Sequence, residues 1–259
     1  MGSNLSNFNI QTYRRFLAFL KKKYKIIPFC RFSRRDASFL ILRHDIEVSL
    51  DAALQMARVE KECGVMSTYF VYLSNNFYNM FDPKNLVLLR RISRMGHEIG
   101  IHYDLVQYRS YGRPLQQTLL TEIHILEQLI RRKVHSIAMH NRSLYKSDPF
   151  VRIAGYINAY SFNKDHDVFY VSDSCRAWRI GDAHTLIAKN PKRVQLLIHP
   201  FQWIPNAENR YSLLDKWFKI LNEQNNECKR QWKKLWRSIP HITKYDKEIK
   251  SQRRLLDFC

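Results

Sequence analysis

Two short stretches of the chain combine carboxylates with imidazoles: Arg43-His44-Asp45-Ile46-Glu47 and, further on, Gly96-His97-Glu98-Ile99-Gly100-Ile101-His102-Tyr103-Asp104. Both adjoin strongly apolar, strand-like runs. An ionised carboxylate beside a buried strand is costly to desolvate unless a cation or hydrogen-bond donors face it, so the grouping points to a metal site. A divalent ion held by two neutral imidazoles and one carboxylate, with a position left for water, makes hydroxide available near neutral pH. The chemistry to expect is hydrolysis, with a second carboxylate near that water as base and a histidine on the far side to protonate the leaving group. The sequence holds no Gly-rich phosphate loop, G-x-S-x-G elbow or H-E-x-x-H pair to compete with this assignment.

The elements that must position these residues are legible from periodicity and punctuation. An amphipathic helix at about residues 10–24 precedes the apolar run Ser38-Phe39-Leu40-Ile41-Leu42, which leads into His44-Asp45 as a buried strand. Ser49 is placed to cap a helix ending near Cys63 and Gly64, and Asp82-Pro83 opens another that closes at Gly96. Further strands are expected at 67–73, 98–103, 134–140, 157–162, 168–173 and 194–199, with a helix at about 115–132. Strands alternating with helices imply a mainly parallel sheet, and about seven such units predict an α/β fold closed, or nearly closed, into a barrel. From about residue 206 the chain turns helical and charged.

Residues two apart on a strand share a face, so Asp45 and Glu47 point one way and His44 and Ile46 the other. By the same parity His102 lies with Gly100, opposite Ile99 and Ile101. His140 lies with Ala138, opposite Ile137 and Met139, and His199 lies with Leu197, opposite Leu196 and Ile198. Each imidazole falls at the C-terminal end of its strand, where parallel barrels build their active sites. Two carboxylates and three histidines therefore aim at one mouth. His44 is expected to face the helices, His97 to hydrogen-bond at a turn, and His124, His135, His166, His184 and His241 have no comparable context.

At these residues the chain resembles the polysaccharide deacetylase superfamily (NodB-homology, carbohydrate esterase family 4), in a divergent branch with R-H-D-x-D and G-H-E-I-G-x-H-Y-D motifs. Further matches are Ser136-Ile137-Ala138-Met139-His140, Ser172-Asp173-Ser174 followed by Trp178, and Leu197-Ile198-His199-Pro200 followed by Trp203, so the resemblance runs from about residue 40 to residue 203. It implies a distorted seven-stranded (β/α) barrel, a zinc-like divalent metal, and removal of the acetyl group from an N-acetylated sugar of a surface polysaccharide or of its nucleotide- or lipid-linked precursor. Carried across by position, Asp45 resembles the catalytic base, Glu47 a metal-binding acid, His102 the first metal-binding histidine and His199 the general acid. There are two departures. The family places a second histidine one helical turn after the first, where this chain has Val106, and His140 is the candidate to replace it. Glu47 is one methylene longer than the usual aspartate, and the alternative reading is a catalytically inactive, deacetylase-like binding protein with a decayed site. Asp173, Arg176 and Trp178 follow the sixth strand, where a loop could orient the base or contact substrate, and Trp203 is expected near the barrel mouth, where aromatic faces suit sugar rings; all four are candidate substrate-binding residues.

The remaining features bound the setting. The chain of 259 residues, 45% hydrophobic, can bury a full-sized core. It lacks the roughly 20 consecutive apolar residues that cross a bilayer, because the run 16–20 ends in Lys21, Lys22 and Lys23. Five scattered cysteines with no C-x-x-C pair suggest neither a disulfide framework nor a thiolate zinc site. The expectation is a cytoplasmic protein, peripheral at the inner face of the membrane if its charge is used there. That charge is +20 and gathers at the two ends: residues 1–37 form a basic helical segment, 38–205 the barrel, and 206–259 a basic helical extension with Trp232, Trp236 and Tyr245 interleaved. Basic segments of this kind suit an anionic membrane surface. Nucleic acid accounts for the charge but not for the converging carboxylates and histidines.

Overall fold

The computed structural model describes residues 8–141, 151–178 and 189–238. The sheet at its centre is parallel throughout. Its strands are β1 (Ile26–Ile27), β2 (Phe39–Ile46), β3 (Thr68–Val71), β4 (Glu98–Tyr103), β5 (Ser136–Met139), β6 (Ile157–Asn158), β7 (Phe169–Ser172) and β8 (Arg193–Ile198). Seven run in the order β6-β5-β4-β3-β2-β8-β7, while β1 pairs with the start of β2. On one edge β2 meets β8 from Phe39 to His44. On its other edge β1 takes Leu40 and Ile41, and β3 takes over at Arg43. With helices packed outside, this is a distorted seven-stranded (β/α) barrel, as expected, with β1 as an eighth strand that short length hid from the sequence.

The helices are α1 (Ile10–Lys21), α2 (Leu50–Glu62), α3 (Pro83–Arg94), α4 (Leu105–Ser110), α5 (Leu115–Ile130), α6 (Ala159–Asp165), α7 (Pro200–Trp203) and α8 (Arg210–Ser238). Ser49 caps α2 by accepting from Ala52 N–H, and Asp82 caps α3 with Pro83 in the first turn, both as the punctuation indicates. The expected strand at 157–162 is overturned. Only two residues pair, and Asn158 then accepts from the N–H groups of Tyr160 and Ser161 to start α6. Its alternating pattern also satisfies a helical spacing, with Ala159 and Phe162 buried three apart.

Parity organises the core. On the outer face, Leu40 and Leu42 of β2 and Leu196 and Ile198 of β8 pack with Tyr13, Phe16, Leu17 and Leu20 of α1 and Met56 and Val59 of α2. Tyr69, Val71, Ile99, Ile101, Ile137 and Met139 pack with α2, α3 and α5. Inside the barrel sit Phe39, Ile41, Phe70, Ala138 and Phe162. Beneath them the buried Glu98 accepts from Thr68 Oγ1, Ser136 Oγ and Cys30 N–H, closing the floor with a satisfied carboxylate. Gly100 is required here: a Cβ would lie 2.5 Å from the Phe70 ring and 2.8 Å from Ser136 carbonyl oxygen. The chain divides after Arg210 into two compact units, α8 belonging to the second. Among the described residues no helix is long and apolar enough to cross a membrane.

Candidate active site

At the C-terminal mouth of the barrel, β2 delivers Asp45, the residue after next delivers Glu47, β4 delivers His102, and the ends of β5 and β8 deliver His140 and His199. Glu47 Oε1 lies 4.0 Å from His102 Nε2, 3.7 Å from His140 Nε2 and 3.8 Å from His199 Nε2. Asp45 Oδ2 lies 3.7 Å from His102 Nε2. The structure thus brings together all five residues that parity aimed at one mouth. Ligand atoms of Glu47, His102 and His140 all fall within 4.8 Å of one another.

Each imidazole is oriented by an acceptor at Nδ1. His102 Nδ1–H donates to Ala138 carbonyl oxygen at 3.2 Å, and His140 Nδ1–H donates to Asp104 Oδ2 at 3.2 Å. His199 Nδ1 sits 2.6 Å from Asp173 Oδ1. A carbonyl or carboxylate can only accept, so the proton is fixed on Nδ1 and each Nε2 is directed at Glu47. His102 Nε2 is buried and has no hydrogen-bond partner. An orphaned lone pair beside a carboxylate is a cost that a cation removes. A tetrahedral ion with bonds of about 2.0–2.2 Å sets its ligands roughly 3.3–3.6 Å apart, slightly closer than these groups stand. Glu47, His102 and His140 therefore fit a divalent ion by donor chemistry and orientation.

The electrostatics sort the groups into distinct states. Burial pushes His102 down to about 3, so it stays neutral and able to ligate. Burial opposes charge on His199 too, but Glu47 and Asp173 outweigh it and raise the group to about 9. Asp45 is fully buried. Arg43 nevertheless donates to both its oxygens, Nε to Oδ1 at 2.8 Å and Nη2 to Oδ2 at 2.7 Å, and with His102 and His199 holds it well below the usual carboxylate range. Burial raises Glu47. The Arg43 guanidinium rests on the rings of Phe70, 5.1 Å away, and Tyr160, 4.6 Å away.

Four expected substrate contacts are placed elsewhere. Asp173 is 0% exposed and takes the backbone N–H and Nδ1 of His199 together with Trp203 Nε1–H at 2.8 Å. Trp203 is 1% exposed, packed against Phe8 and Tyr13. Arg176 donates to the carbonyl oxygens of Gln202 and Ala207 and lies over the Phe8 ring. Trp178 packs against Phe8, Phe16 and Trp203. Asp173 and Trp203 are thus buried behind His199, and Arg176 and Trp178 lie half-buried beside them.

Two supporting residues escaped the sequence reading. Asp104 caps α4 through Val106 N–H and accepts from Tyr72 Oη–H and His140. The Tyr-Asp following His102 was the available signal. Val106 itself lies in the first turn of α4, 58% exposed. On the opposite face of β2, His44 reaches the buried Glu60, which also takes the hydroxyls of Tyr13, Ser67 and Tyr69. His97 accepts from Ser67 N–H and donates to Ala57 carbonyl oxygen. Both histidines sit in the structural positions expected of them.

No protein-family model matches the chain, and neither does any curated protein. Among solved structures it is similar to a CE4 family pseudoenzyme from Bacillus anthracis, at 14% identity and a TM-score of 0.41 over 78% of this chain and 66% of that one. It is similar also to the catalytic domain of a peptidoglycan N-acetylglucosamine deacetylase from Eubacterium rectale (14% identity, TM-score 0.43, 71% of this chain and 84% of that one). A third is the chitin deacetylase of the fungal pathogen Colletotrichum lindemuthianum (15% identity, TM-score 0.39, 74% and 86%). Likenesses of this degree carry nothing about activity, so function must be argued from the site's own residues.

Proposed function

We propose that the protein is a metal-dependent hydrolase that removes an N-acetyl group from a sugar of a surface polysaccharide or of its nucleotide- or lipid-linked precursor, met inside the cell. One observation carries the reading: three imidazoles, each locked by an acceptor at Nδ1, turn Nε2 toward a single oxygen of Glu47. The acetamide specificity comes from the motif resemblance, which runs through the same residues.

Glu47, His102 and His140 would hold a divalent ion, zinc by donor type, and such an ion supplies an activated water and polarises the acetyl carbonyl. Asp45, 3.7 Å from His102, would accept the proton of the attacking water. Arg43 keeps it ionised, at a cost in basicity, and fixes both its oxygens. On the other side His199, protonated against Asp173, would give its proton to the departing amine. Acid and base are thus separated by opposite environments in one cleft.

The test is elemental analysis of the full chain purified in metal-free buffer, wild type beside His102→Ala, followed by acetate release from N-acetylated glycans. A near-stoichiometric metal lost in the variant, with acetate release abolished by Asp45→Asn, is the expected result. A wild type that purifies empty and takes up no added zinc, cobalt, nickel or manganese would overturn it in favour of a non-catalytic barrel.

A further inference from the structure

Helix α8 carries a stripe that its own fold does not account for. Leu214, Phe218, Trp232, Leu235 and Trp236 are all exposed, the last three at 55%, 50% and 55%. Eighteen residues make five turns of an α-helix, so Leu214 lies in line with Trp232 and Phe218 with Trp236, and Leu235 falls beside them. Leu221 continues the line from Leu214 and Phe218, polar Asn225 crosses it, and the apolar character returns at Trp232. Residues 228–238 hold Lys229, Arg230, Lys233, Lys234 and Arg237; Arg230 pairs with Glu227, and Lys229 and Lys233 fall on the flank of the stripe. The indoles of Trp232 and Trp236 meet edge to face with centroids 6.2 Å apart.

We propose that the second half of α8 docks on an anionic lipid bilayer, independently of the chemistry at the barrel mouth. Trp232, Leu235 and Trp236 would enter the boundary between headgroups and acyl chains, while Lys229 and Lys233, which flank them by helical spacing, reach lipid phosphates, their aliphatic stems lying along the surface. Two features favour lipid over single-stranded nucleic acid, which also takes basic and aromatic groups. The stripe includes Leu214, Phe218 and Leu235, which bases would leave wet, and the two indoles already cover part of one another. The helix is too polar to cross a bilayer, so it lies on the surface.

The test uses the full chain with vesicles of phosphatidylcholine, with and without phosphatidylglycerol, read by co-sedimentation and by tryptophan emission. Binding to the anionic vesicles with a blue shift is expected, weakened about tenfold or more on pure phosphatidylcholine and in about 1 M salt, where charges are screened beyond roughly 3 Å. Trp232→Ala/Trp236→Ala should remove the blue shift, and Lys229→Glu/Lys233→Glu should weaken binding at least about tenfold, both with unchanged circular dichroism. The proposal fails if the protein stays in the supernatant at low salt, or if either double variant binds vesicles as wild type does. It fails equally if the protein ignores vesicles while the Trp substitutions abolish binding to single-stranded RNA or dissociate a dimer in solution.

Discussion

Arg43 holds both oxygens of Asp45 from two positions upstream on the same strand, so the guanidinium that fixes the candidate base comes from the segment that carries it. Both side chains are buried. Removing one partner of such a pair leaves a naked charge in the interior, which costs about 3–5 kcal/mol. Arg43→Met is therefore expected to lower the unfolding free energy by that order. Adding Asp45→Asn should restore a substantial part of it. Additive losses in the denaturant-derived double-mutant cycle would mean that the two residues are not coupled.

Asp104 touches the site only through His140 and Tyr72. Loss of an outer partner of a ligating histidine typically costs 10–100-fold in metal affinity. Asp104→Asn, which can still accept from Val106 N–H at the cap of α4, should weaken metal binding by about that factor in a chelator competition. Its melting curve should stay close to that of the wild type. Unchanged affinity would remove His140 from the ligand set.

In metal-free protein the His199 imidazole should titrate near 9 by NMR, because Glu47 and Asp173 outweigh its burial. A raised pKa contributes stability that is complete below the unfolded value of about 6.5 and is lost as pH rises through about 9. Asp173→Asn should move the titration down by at least about one unit. A wild-type midpoint at or below the ordinary histidine value would contradict the acid role.

Acid should act on the other face of β2. Burial resists charge on Glu60, but His44, His97 and Ser67 hold it down at about 2, while burial lowers His97. In both cases the unfolded state binds more protons as the medium acidifies, so stability falls with pH. The decline should begin below about 6.5 through His97 and steepen from about 4.5 to about 2 through Glu60. Glu60→Gln should flatten the lower part of that curve in urea titrations. An equally steep curve in the variant would place the acid sensitivity elsewhere.

Gly100→Ala should cost about 1–3 kcal/mol or more, since its methyl would collide with the Phe70 ring and Ser136 carbonyl oxygen. Because Phe70 lies under Arg43, metal uptake should suffer with stability. A variant as stable as wild type would show that the Phe70 ring can move aside freely.

The strands that feed the site were readable because their parity is simple and their ends carry polar residues that only a shared purpose explains. Asp45, Glu47, His102, His140 and His199 could be aimed at one mouth without knowing any distance. The role of Asp173 could not be read. An acidic residue after a strand looks the same whether it meets substrate or, 26 residues later in the chain, the Nδ1 of His199. The burial of Trp203 was hidden for a related reason: it is decided by Phe8 and by Tyr13 of α1, a segment whose docking no local pattern reports. Strand β6 gave way to α6 because the Asn158 side chain caps a helix inside a run that also alternates.

All eight residues of β2 are buried, and Phe39-Leu40-Ile41-Leu42 is apolar on both faces, so hydrophobicity alone gives this strand no preferred alignment. Slipping it by one residue would turn Asp45 toward Glu60, setting two carboxylates together, and would bring His44 inside against Phe70 and Tyr160. The charged half of β2 therefore polices how the whole sheet is threaded. The residues that serve the site on one face of β2 and the Glu60 network on the other thus also set which face of the strand is which.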